Sequence, residues 1–311
     1  MTTTILVSKL RRSRRVAAKV REPRGDRMFL LVVRIMLGVA LALVLLPLIY
    51  IVASSFSSPA AVNSGRVSFW PVDFSLEAYR SVLSNSEIMR GYYNSLIYAI
   101  AGTTISVTLT VAIAYPLSRK TFYGRNVVMT LLIFTMLFSG GVIPTYMVVH
   151  DLGMLDTRWA LLIPNAIGVW QVIIARTFFA GSIPDELYEA AMLDGASELR
   201  TLRSVVLPLS KPLLAVLALM YTVYQWNTYF DALVYLKDPD LFPLQIVLRN
   251  ILLLNTPRTG ATDVVQQMHQ MQLANVLRYA LIVVSSLPVL IIYPFVARHF
   301  TKGVLVGAVK G

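Results

Sequence analysis

The chain has 311 residues, of which 56% are hydrophobic and only 14% are charged, with 28 Lys and Arg against 16 Asp and Glu. Soluble domains carry about 25% charged residues, so this composition, with a mean hydropathy of +0.66, excludes an ordinary soluble protein. The apolar residues form runs of about 20 residues, which is the length that a helix needs to cross a bilayer. The sequence therefore predicts an all-α integral membrane protein.

A basic segment, residues 1–27, precedes the first apolar run. A block of Lys and Arg beside a membrane helix determines topology and contacts anionic lipid, and we expect that role here rather than nucleic-acid binding. The remaining residues, 28–311, are predicted to form one domain of six transmembrane helices. Their predicted limits are 30–53, 93–117, 127–149, 160–180, 212–236 and 276–297.

The Lys and Arg residues between the runs predict the orientation of the chain. If the N-terminus is cytoplasmic, most of them fall on the cytoplasmic side, so both termini are expected there. Two segments on the outer side have amphipathic or apolar character. Apolar residues from Phe74 to Leu83 predict a short helix at the membrane surface, and the run 241–255 is expected to lie at the interface or project outward.

Polar and aromatic residues within the runs form a candidate substrate path. Polar side chains in a membrane helix usually face protein or water, so they line a polar path or form hydrogen bonds between helices. For the aromatic residues, a belt at the membrane surface is a further alternative. The candidate path residues are Tyr146, Asn165, Trp226, Asn227, Tyr229 and Asp231.

Several types of chemistry are not supported by the sequence. The chain has no G-x-x-x-x-G-K-[ST] motif, so we expect no ATP bound through a P-loop. The three histidines, His150, His269 and His299, lie outside the predicted helices without metal-type spacing or a nucleophile–base pair. With no cysteine there is no thiolate metal site. We expect no catalytic residue, no metal and no cofactor bound by this chain.

The loop between the fourth and fifth predicted helices, residues 181–212, holds five of the acids and is called the acidic loop below. Ser182 is predicted to cap a first short helix that ends at Gly195. Ser197 is predicted to cap a second helix that ends at Pro208. Helix capping explains Asp185 and Glu186 but not Glu189, which lies in mid-helix beside small residues. The loop therefore looks suited to fit a groove on a partner and to pair with its cations.

The sequence EAAMLDGASELRTLRSVVLPLSKP in this loop resembles the EAA motif of ABC importer permeases. The matching residues are Glu189, Ala190, Ala191, Asp194, Gly195, Ala196, Leu207 and Pro208. Further stretches resemble the maltose-type carbohydrate permeases on the MalG-like side, most of all the alginate- or aldouronate-type branch that imports oligosaccharides and polysaccharide fragments. They are FSLEAYRSVL, AYPLSRKTFYGR, FSGGVIPTY, LGMLDTRWALLIPN, WNTYFDALVYL, FPLQIVLRNIL and the tail KGVLVGAVKG.

The resemblance implies a type I ABC importer permease fold in the bacterial cytoplasmic (inner) membrane. It implies that the acidic loop docks on separate ATPase subunits, through Asp185, Glu189, Ala190, Ala191, Asp194, Gly195, Leu207 and Pro208. Glu189 would pair with an ATPase arginine, and Gly195 would make the turn between the two helices. The implied partners are a second homologous permease, two ATPases that use ATP and Mg²⁺, an extracytoplasmic solute-binding protein and an oligosaccharide substrate.

Alternating access driven by those ATPases is the expected mechanism, with no bond made or broken by this chain. Two alternatives stay open on the sequence. One is a stand-alone six-helix secondary transporter or channel, and the other is an ABC permease for a non-sugar solute. A membrane-bound enzyme would need convergent His, Ser and Asp chemistry, which the sequence lacks.

Overall fold

A computed structural model describes residues 24–253, 275–292 and 294. The basic segment up to residue 23, the polar stretch 254–274 and the tail from 295 lie outside the described residues, and with them His269 and His299. The helices are α1 (Arg24–Ser55), α2 (Pro59–Asn63), α3 (Glu77–Ser84), α4 (Ser86–Ser118), α5 (Arg125–Leu137), α6 (Val142–Asp151), α7 (Trp159–Leu162), α8 (Val169–Ser182), α9 (Asp185–Leu193), α10 (Glu198–Thr201), a π-helical turn (Leu202–Val206), α11 (Leu207–Leu209), α12 (Lys211–Trp226), α13 (Phe230–Tyr235), a 3₁₀ turn (Pro239–Leu241), α14 (Leu244–Leu253) and α15 (Asn275–Ile292).

The chain divides between Ile49 and Tyr50 into two compact units. The described part of the first unit is the N-terminal portion of α1, whose most apolar stretch has a mean hydropathy of 2.8 and is not buried. Within the described residues, α1, α4 and α15 are each long and apolar enough to cross a membrane, and the number rises to five if two bent helix pairs each count as one span. A membrane protein built from helices, as the composition predicts, is therefore confirmed.

Three predicted helices are interrupted, which corrects the expectation that each apolar run is one helix. The third run breaks between α5 and α6 with a bend of 114°, where Gly141 takes a φ of +85°. The fourth run is split into α7 and α8 by residues 163–168, a segment that includes Pro164. The fifth run ends its first helix at Trp226 and resumes as α13. Glycine and proline weaken the helical ladder at the first two breaks.

The centre of the second unit is α4, which packs along both α8 and α12. Small and hydroxyl side chains on α4 let α12 approach closely, as is typical of helix contacts in membranes. Gly102 lies directly against the side chain of Gln225. Thr103 and Thr222 share a hydrogen bond of 3.0 Å between their hydroxyl oxygens. A second bond, of 2.7 Å, joins the hydroxyls of Thr110 and Tyr221.

The structure refines the predictions for residues 74–83 and for the run from residue 241. The helix near Phe74 begins only at Glu77, and it buries Ala78 and Val82 while Phe74 and Leu83 stay exposed. A short helix in this segment is therefore confirmed with a later start, and its position at the membrane surface stays a prediction.

The run from residue 241 does not project outward, because its helix α14 packs against α4. A Cβ atom on Gly91 would come within 2.9 Å of Val247. The Ser95 hydroxyl accepts the Leu244 N–H at 2.8 Å. These contacts attach the outer loop to the helix at the centre of the unit.

Candidate functional site

The acidic loop forms two short helices, with boundaries that depart from the prediction at its start. Ser182 is the last residue of α8, so its predicted capping role is wrong. Pro184, in an extended conformation, precedes α9 and leaves its N-terminus without a side-chain cap. The acids Asp185 and Glu186 lie in that first turn, where the helix dipole favours negative charge.

The turn between the two helices follows the prediction closely. Gly195 has a φ of +70°, a left-handed conformation that is unstrained only for residues such as glycine. The N–H groups of Gly195 and Ala196 donate to the carbonyls of Met192 and Ala191 at 3.0 and 2.9 Å, which is the Schellman pattern of a helix end. Ser197 then caps α10 by accepting the N–H of Arg200 at 3.4 Å.

Pro208 does not end the second helix. A π-helical turn, Leu202–Val206, precedes it, and α11 continues through Pro208 to Leu209. A π turn is wider than an α turn and provides room for the ring of a following proline. The break comes at Ser210, where the helical axis bends by 84° before α12 begins.

Two acids of the loop are used within the chain. Asp185 forms an ion pair of 2.8 Å with Lys120, and this hydrogen bond and its charge hold the pKa of Asp185 below its ordinary value. Glu198 accepts the hydroxyl of Tyr115 at 2.6 Å. Both partners lie at or just after the end of α4, so these contacts hold the loop to the bundle.

Glu189 is different, because it is exposed and has no ion-pair partner among the described residues. Ala190 beside it is exposed, whereas Ala191 is buried against the bundle. Asp194 is exposed at the tip of α9. The face of α9 that carries Glu189 and Ala190 is therefore open to a partner.

Exposed apolar side chains surround this face, and the sequence reasoning missed them. Leu193 is 90% exposed, and Met192 and Leu199 are also largely exposed. Apolar side chains exposed on a polar loop indicate a protein contact. The signal was present in the sequence as leucines inside an acidic stretch.

Aromatic packing anchors α9 on its other face. Tyr188 is buried, with its ring centre 6.4 Å from that of Tyr115 on α4. The guanidinium of Arg119 lies 3.5 Å from the centre of the Tyr188 ring, which is the geometry of a cation–π contact. Ile183 and Val206 are buried in the same apolar cluster. These contacts pack α9 closely against the end of α4.

The candidate substrate path is only partly assembled by the structure. The Asn165 amide donates to the carboxylate of Asp231 at 2.9 Å. The hydroxyl of Tyr224, which the sequence reasoning missed, donates to the same carboxylate oxygen at 3.3 Å. Tyr146 stacks on Tyr235 with ring centres 6.3 Å apart. We call Tyr146, Asn165, Tyr224, Asp231 and Tyr235 the polar cluster.

The other three candidate residues lie elsewhere or make local contacts. Trp226 is buried, and its ring N–H donates to the Ser285 carbonyl of α15 at 3.0 Å. Asn227 donates to the Val223 carbonyl of its own helix. Tyr229 is half-buried against the apolar core beside α13. Among the described residues, no three His, Asp or Glu side chains come together as metal ligands.

A scan against protein-family models matched no family. Among curated proteins, the chain is 42% identical to Protein LplC of Bacillus subtilis, over 88% of this chain and 92% of the relative. It is 41% identical to the polygalacturonan/rhamnogalacturonan transport system permease protein YtcP of the same organism, over 86% and 92% of the two chains.

A similar solved structure is the crystal structure of a bacterial ABC transporter involved in the import of the acidic polysaccharide alginate. One of its chains matches with a TM-score of 0.83 and 37% sequence identity, over 90% of this chain and 99% of that chain. A more distant relative, at 27% identity, is the arabinooligosaccharides transport system permease protein AraQ of Halalkalibacterium halodurans, over 85% and 91% of the two chains.

Proposed function

The chain belongs to the permease subunits of bacterial ABC transporters for sugars, and we propose that it imports oligosaccharide fragments of a polysaccharide. The coupling part of this proposal rests on the acidic loop, where Glu189 is exposed and has no ion-pair partner among the described residues, while Tyr188 beside it is buried against α4. The similarity to permeases named for polygalacturonan, rhamnogalacturonan and arabinooligosaccharides supports the substrate class. Permease subunits are not themselves enzymes.

In the proposed topology the chain crosses the bacterial cytoplasmic membrane six times, with both termini in the cytoplasm. The distribution of Lys and Arg supports this orientation, since it places the basic N-terminal segment and the acidic loop on the same side. The helices α7 and α8 together form the fourth crossing, although neither alone has the length of a span. The proposed architecture is the type I importer fold, which the TM-score of 0.83 supports.

The proposed mechanism uses the acidic loop as the connection to two ATPase subunits that bind ATP and Mg²⁺. Glu189 pairs with a cation of the ATPase, and the exposed side chains of Met192 and Leu193 pack beside it. Since α9 is anchored to α4 through Tyr188, a movement of the ATPases moves the membrane helices. A second permease completes the pathway, and an extracytoplasmic solute-binding protein delivers the sugar.

The polar cluster is the part of the chain that we propose contacts the sugar. Carboxylate and amide oxygens accept hydrogen bonds from sugar hydroxyls, and aromatic rings pack against the C–H face of a pyranose. Asp231 and Asn165 offer the first kind of contact, and the half-buried ring of Tyr146, which stacks on the buried Tyr235, offers the second. Trp226 has no part in this proposal, because it is buried and its N–H is used by Ser285.

The experiment that tests coupling reverses one charge, by Glu189→Lys. We expect the variant to insert and purify normally, because Glu189 is exposed, but to lose co-purified ATPase subunits and sugar-stimulated ATP hydrolysis in the reconstituted complex. Glu186→Lys makes the same change on the same helix and serves as the matched control. Unchanged coupling in the Glu189→Lys complex would favour a stand-alone transporter and refute the docking assignment.

The substrate class is tested by measuring ATP hydrolysis of the reconstituted complex, with its binding protein, against a panel of oligosaccharides. We expect stimulation by fragments of at least one polysaccharide. A response to amino acids, phosphate or metal ions alone would contradict the sugar assignment while leaving the docking mechanism intact.

A further inference from the structure

A pocket of about 250 Å³ lies at the base of the acidic loop, between the end of α4, the start of α5, α8 and α9. Four cationic side chains line it, and the acid among the lining residues is Asp185. The cations are Arg119, Lys120, Arg125 and Arg176. Such a concentration of positive charge in one concave site attracts an anion.

Most of this charge is not neutralised by carboxylates among the described residues. Asp185 pairs with Lys120, which leaves three arginines without an ion-pair partner among the described residues. Arg176 makes only a long bond of 3.4 Å to the Leu117 carbonyl. An anion in the pocket would therefore meet three guanidinium groups that no carboxylate pairs with among the described residues, one of them, Arg119, stacked on the Tyr188 ring.

Two polar groups of the lining residues are buried and have no hydrogen-bond partner within the described residues. They are the Nε of Arg119 and the hydroxyl of Tyr188, a residue that is only 4% exposed. Leaving a buried donor unpaired is costly, so the site is stabilised when an acceptor with several oxygens enters it. The pocket thus combines three guanidinium groups that have no carboxylate partner among the described residues with two unpaired polar groups buried beside them.

The chemistry of these donors selects phosphate. Guanidinium groups bind phosphate oxygens through two parallel hydrogen bonds, and a phosphate has enough oxygens to reach several arginines at once. Next to the pocket, Arg125 begins α5, a helix with no buried residue, whose exposed side chains include Val127, Leu131 and Phe134. An apolar surface that starts beside a basic pocket suits a phosphate carried by acyl chains.

We propose that this pocket binds the phosphate group of an anionic phospholipid of the cytoplasmic leaflet. The proposal rests on the membrane orientation given under the proposed function, since that orientation puts the pocket at the cytoplasmic surface. A bound phosphate would link α4 and α5 to α8 and α9, and so stiffen the base of the acidic loop. Anionic lipid would then strengthen coupling without touching the sugar path.

The test uses the full-length chain purified in a non-ionic detergent, with lipid binding followed by native mass spectrometry. The probes are phosphatidylglycerol, phosphatidylcholine and inorganic phosphate as a competitor. The double variant Arg125→Gln/Arg176→Gln removes two of the free cations. The matched control, Arg200→Gln/Arg203→Gln, removes two exposed cations of the acidic loop that do not line the pocket.

We expect phosphatidylglycerol to bind in preference to phosphatidylcholine. The double variant should bind phosphatidylglycerol roughly 25-fold more weakly, because each of the two cations contributes about fivefold. The control variant should bind this lipid about as well as the native chain. Asp185→Asn should have the opposite effect, because it removes the one lining acid and frees Lys120. Tighter binding in that variant could not arise from misfolding.

Inorganic phosphate identifies the source of the group. If it fails to displace phosphatidylglycerol, the lipid is the ligand, and if it binds alone while the lipid does not, the same site takes a soluble phosphate. Equal binding of the two lipids, or equal loss in the double variant and its control, would overturn the proposal.

A third outcome separates this proposal from the docking mechanism. If the double variant keeps its lipid but loses the ATPase subunits, the arginines contact protein and the lipid assignment is wrong. Conversely, Glu189→Lys should release the ATPases while leaving phosphatidylglycerol binding unchanged, since Glu189 does not line the pocket.

Discussion

Replacing Gly102 by alanine tests whether close approach of α4 and α12 holds the second unit together. A Cβ atom at this position would lie 2.5 Å from Cδ of Gln225 and 2.8 Å from its Cγ, far inside van der Waals contact. Gln225 is only 1% exposed, so its side chain has little room to move away. The added methyl group must therefore push the two helices apart or force Gln225 into a strained rotamer.

The magnitude follows from two opposing effects. Overpacking destabilises a fold by about 1–3 kcal/mol, while alanine stabilises a helix by up to about 1 kcal/mol relative to glycine. Gly102→Ala should therefore lower the free energy of unfolding by about 1–2 kcal/mol. Gln225→Ala should be nearly neutral, because the packing it loses is offset by removal of an amide whose oxygen and nitrogen both lack a hydrogen-bond partner in the part of the chain that the structure describes. The double variant Gly102→Ala/Gln225→Ala should regain most of the lost stability, which corresponds to a coupling energy between the two positions of about 1–2 kcal/mol.

Thermal unfolding of the four proteins in detergent measures this cycle. Gly102→Ala should lower the midpoint by roughly 2–8 °C, and adding Gln225→Ala should restore most of it. Gly181→Ala in α8 is the matched control, since a Cβ there meets nothing within 4 Å among the described residues. An unchanged midpoint for Gly102→Ala, or losses that simply add in the double variant, would refute the close-packing argument.

Three further predictions concern the turn, a buried tryptophan and the ion pair of the acidic loop. Gly195→Val should cost about 1–2 kcal/mol at a φ of +70° and reduce sugar-stimulated ATP hydrolysis, and Gly195→Asn should cost less; equal effects would contradict the turn assignment. Trp226→Phe should lower the thermal midpoint by removing the N–H that donates to the Ser285 carbonyl, at about 1 kcal/mol, whereas the exposed Trp170→Phe should not. Asp185→Asn should lower the thermal midpoint by the same small amount at about pH 5 and about pH 8, because Lys120 holds the pKa of Asp185 below its ordinary value and the pair stays intact at both. The difference between variant and native chain should disappear only as the pH falls through that lowered pKa and the native carboxylate takes up a proton; a difference that is already smaller at about pH 5 than at about pH 8 would contradict this.

Features that depend on a few neighbouring residues were predicted best. Gly195 ends one helix and Ser197 begins the next, as predicted, because capping involves atoms at most a few residues apart. Ser182 and Pro208 were misplaced by the same reasoning. At Ser182 the preceding helix continues further than the cap signal suggests, and at Pro208 a π turn accommodates the ring.

The sequence could not predict which polar residues of the candidate path come into contact. Those contacts depend on the face that α12 presents to α4 and α15. Trp226 and Asp231 are five positions apart, yet the first is buried against α15 and the second joins Asn165. The chain breaks at Asn227–Tyr229 and the helix resumes as α13, so the two residues do not share one helical register. Tyr224 and Tyr235 enter the polar cluster for the same reason.

The sequence by itself determined the class of protein, the position of the acidic loop and the family, since apolar runs and a short motif act through composition and local spacing. Only the tertiary structure decided which of the five acids of the loop bond to other parts of the chain and which stay exposed. Lys120 is 65 residues from Asp185 and Tyr115 is 83 residues from Glu198, and packing of α4 against the loop brings each pair together. Glu189 is exposed and without an ion-pair partner among the described residues, because its face of α9 turns away from α4. Contacts over such separations depend on how helices pack, which no local pattern encodes.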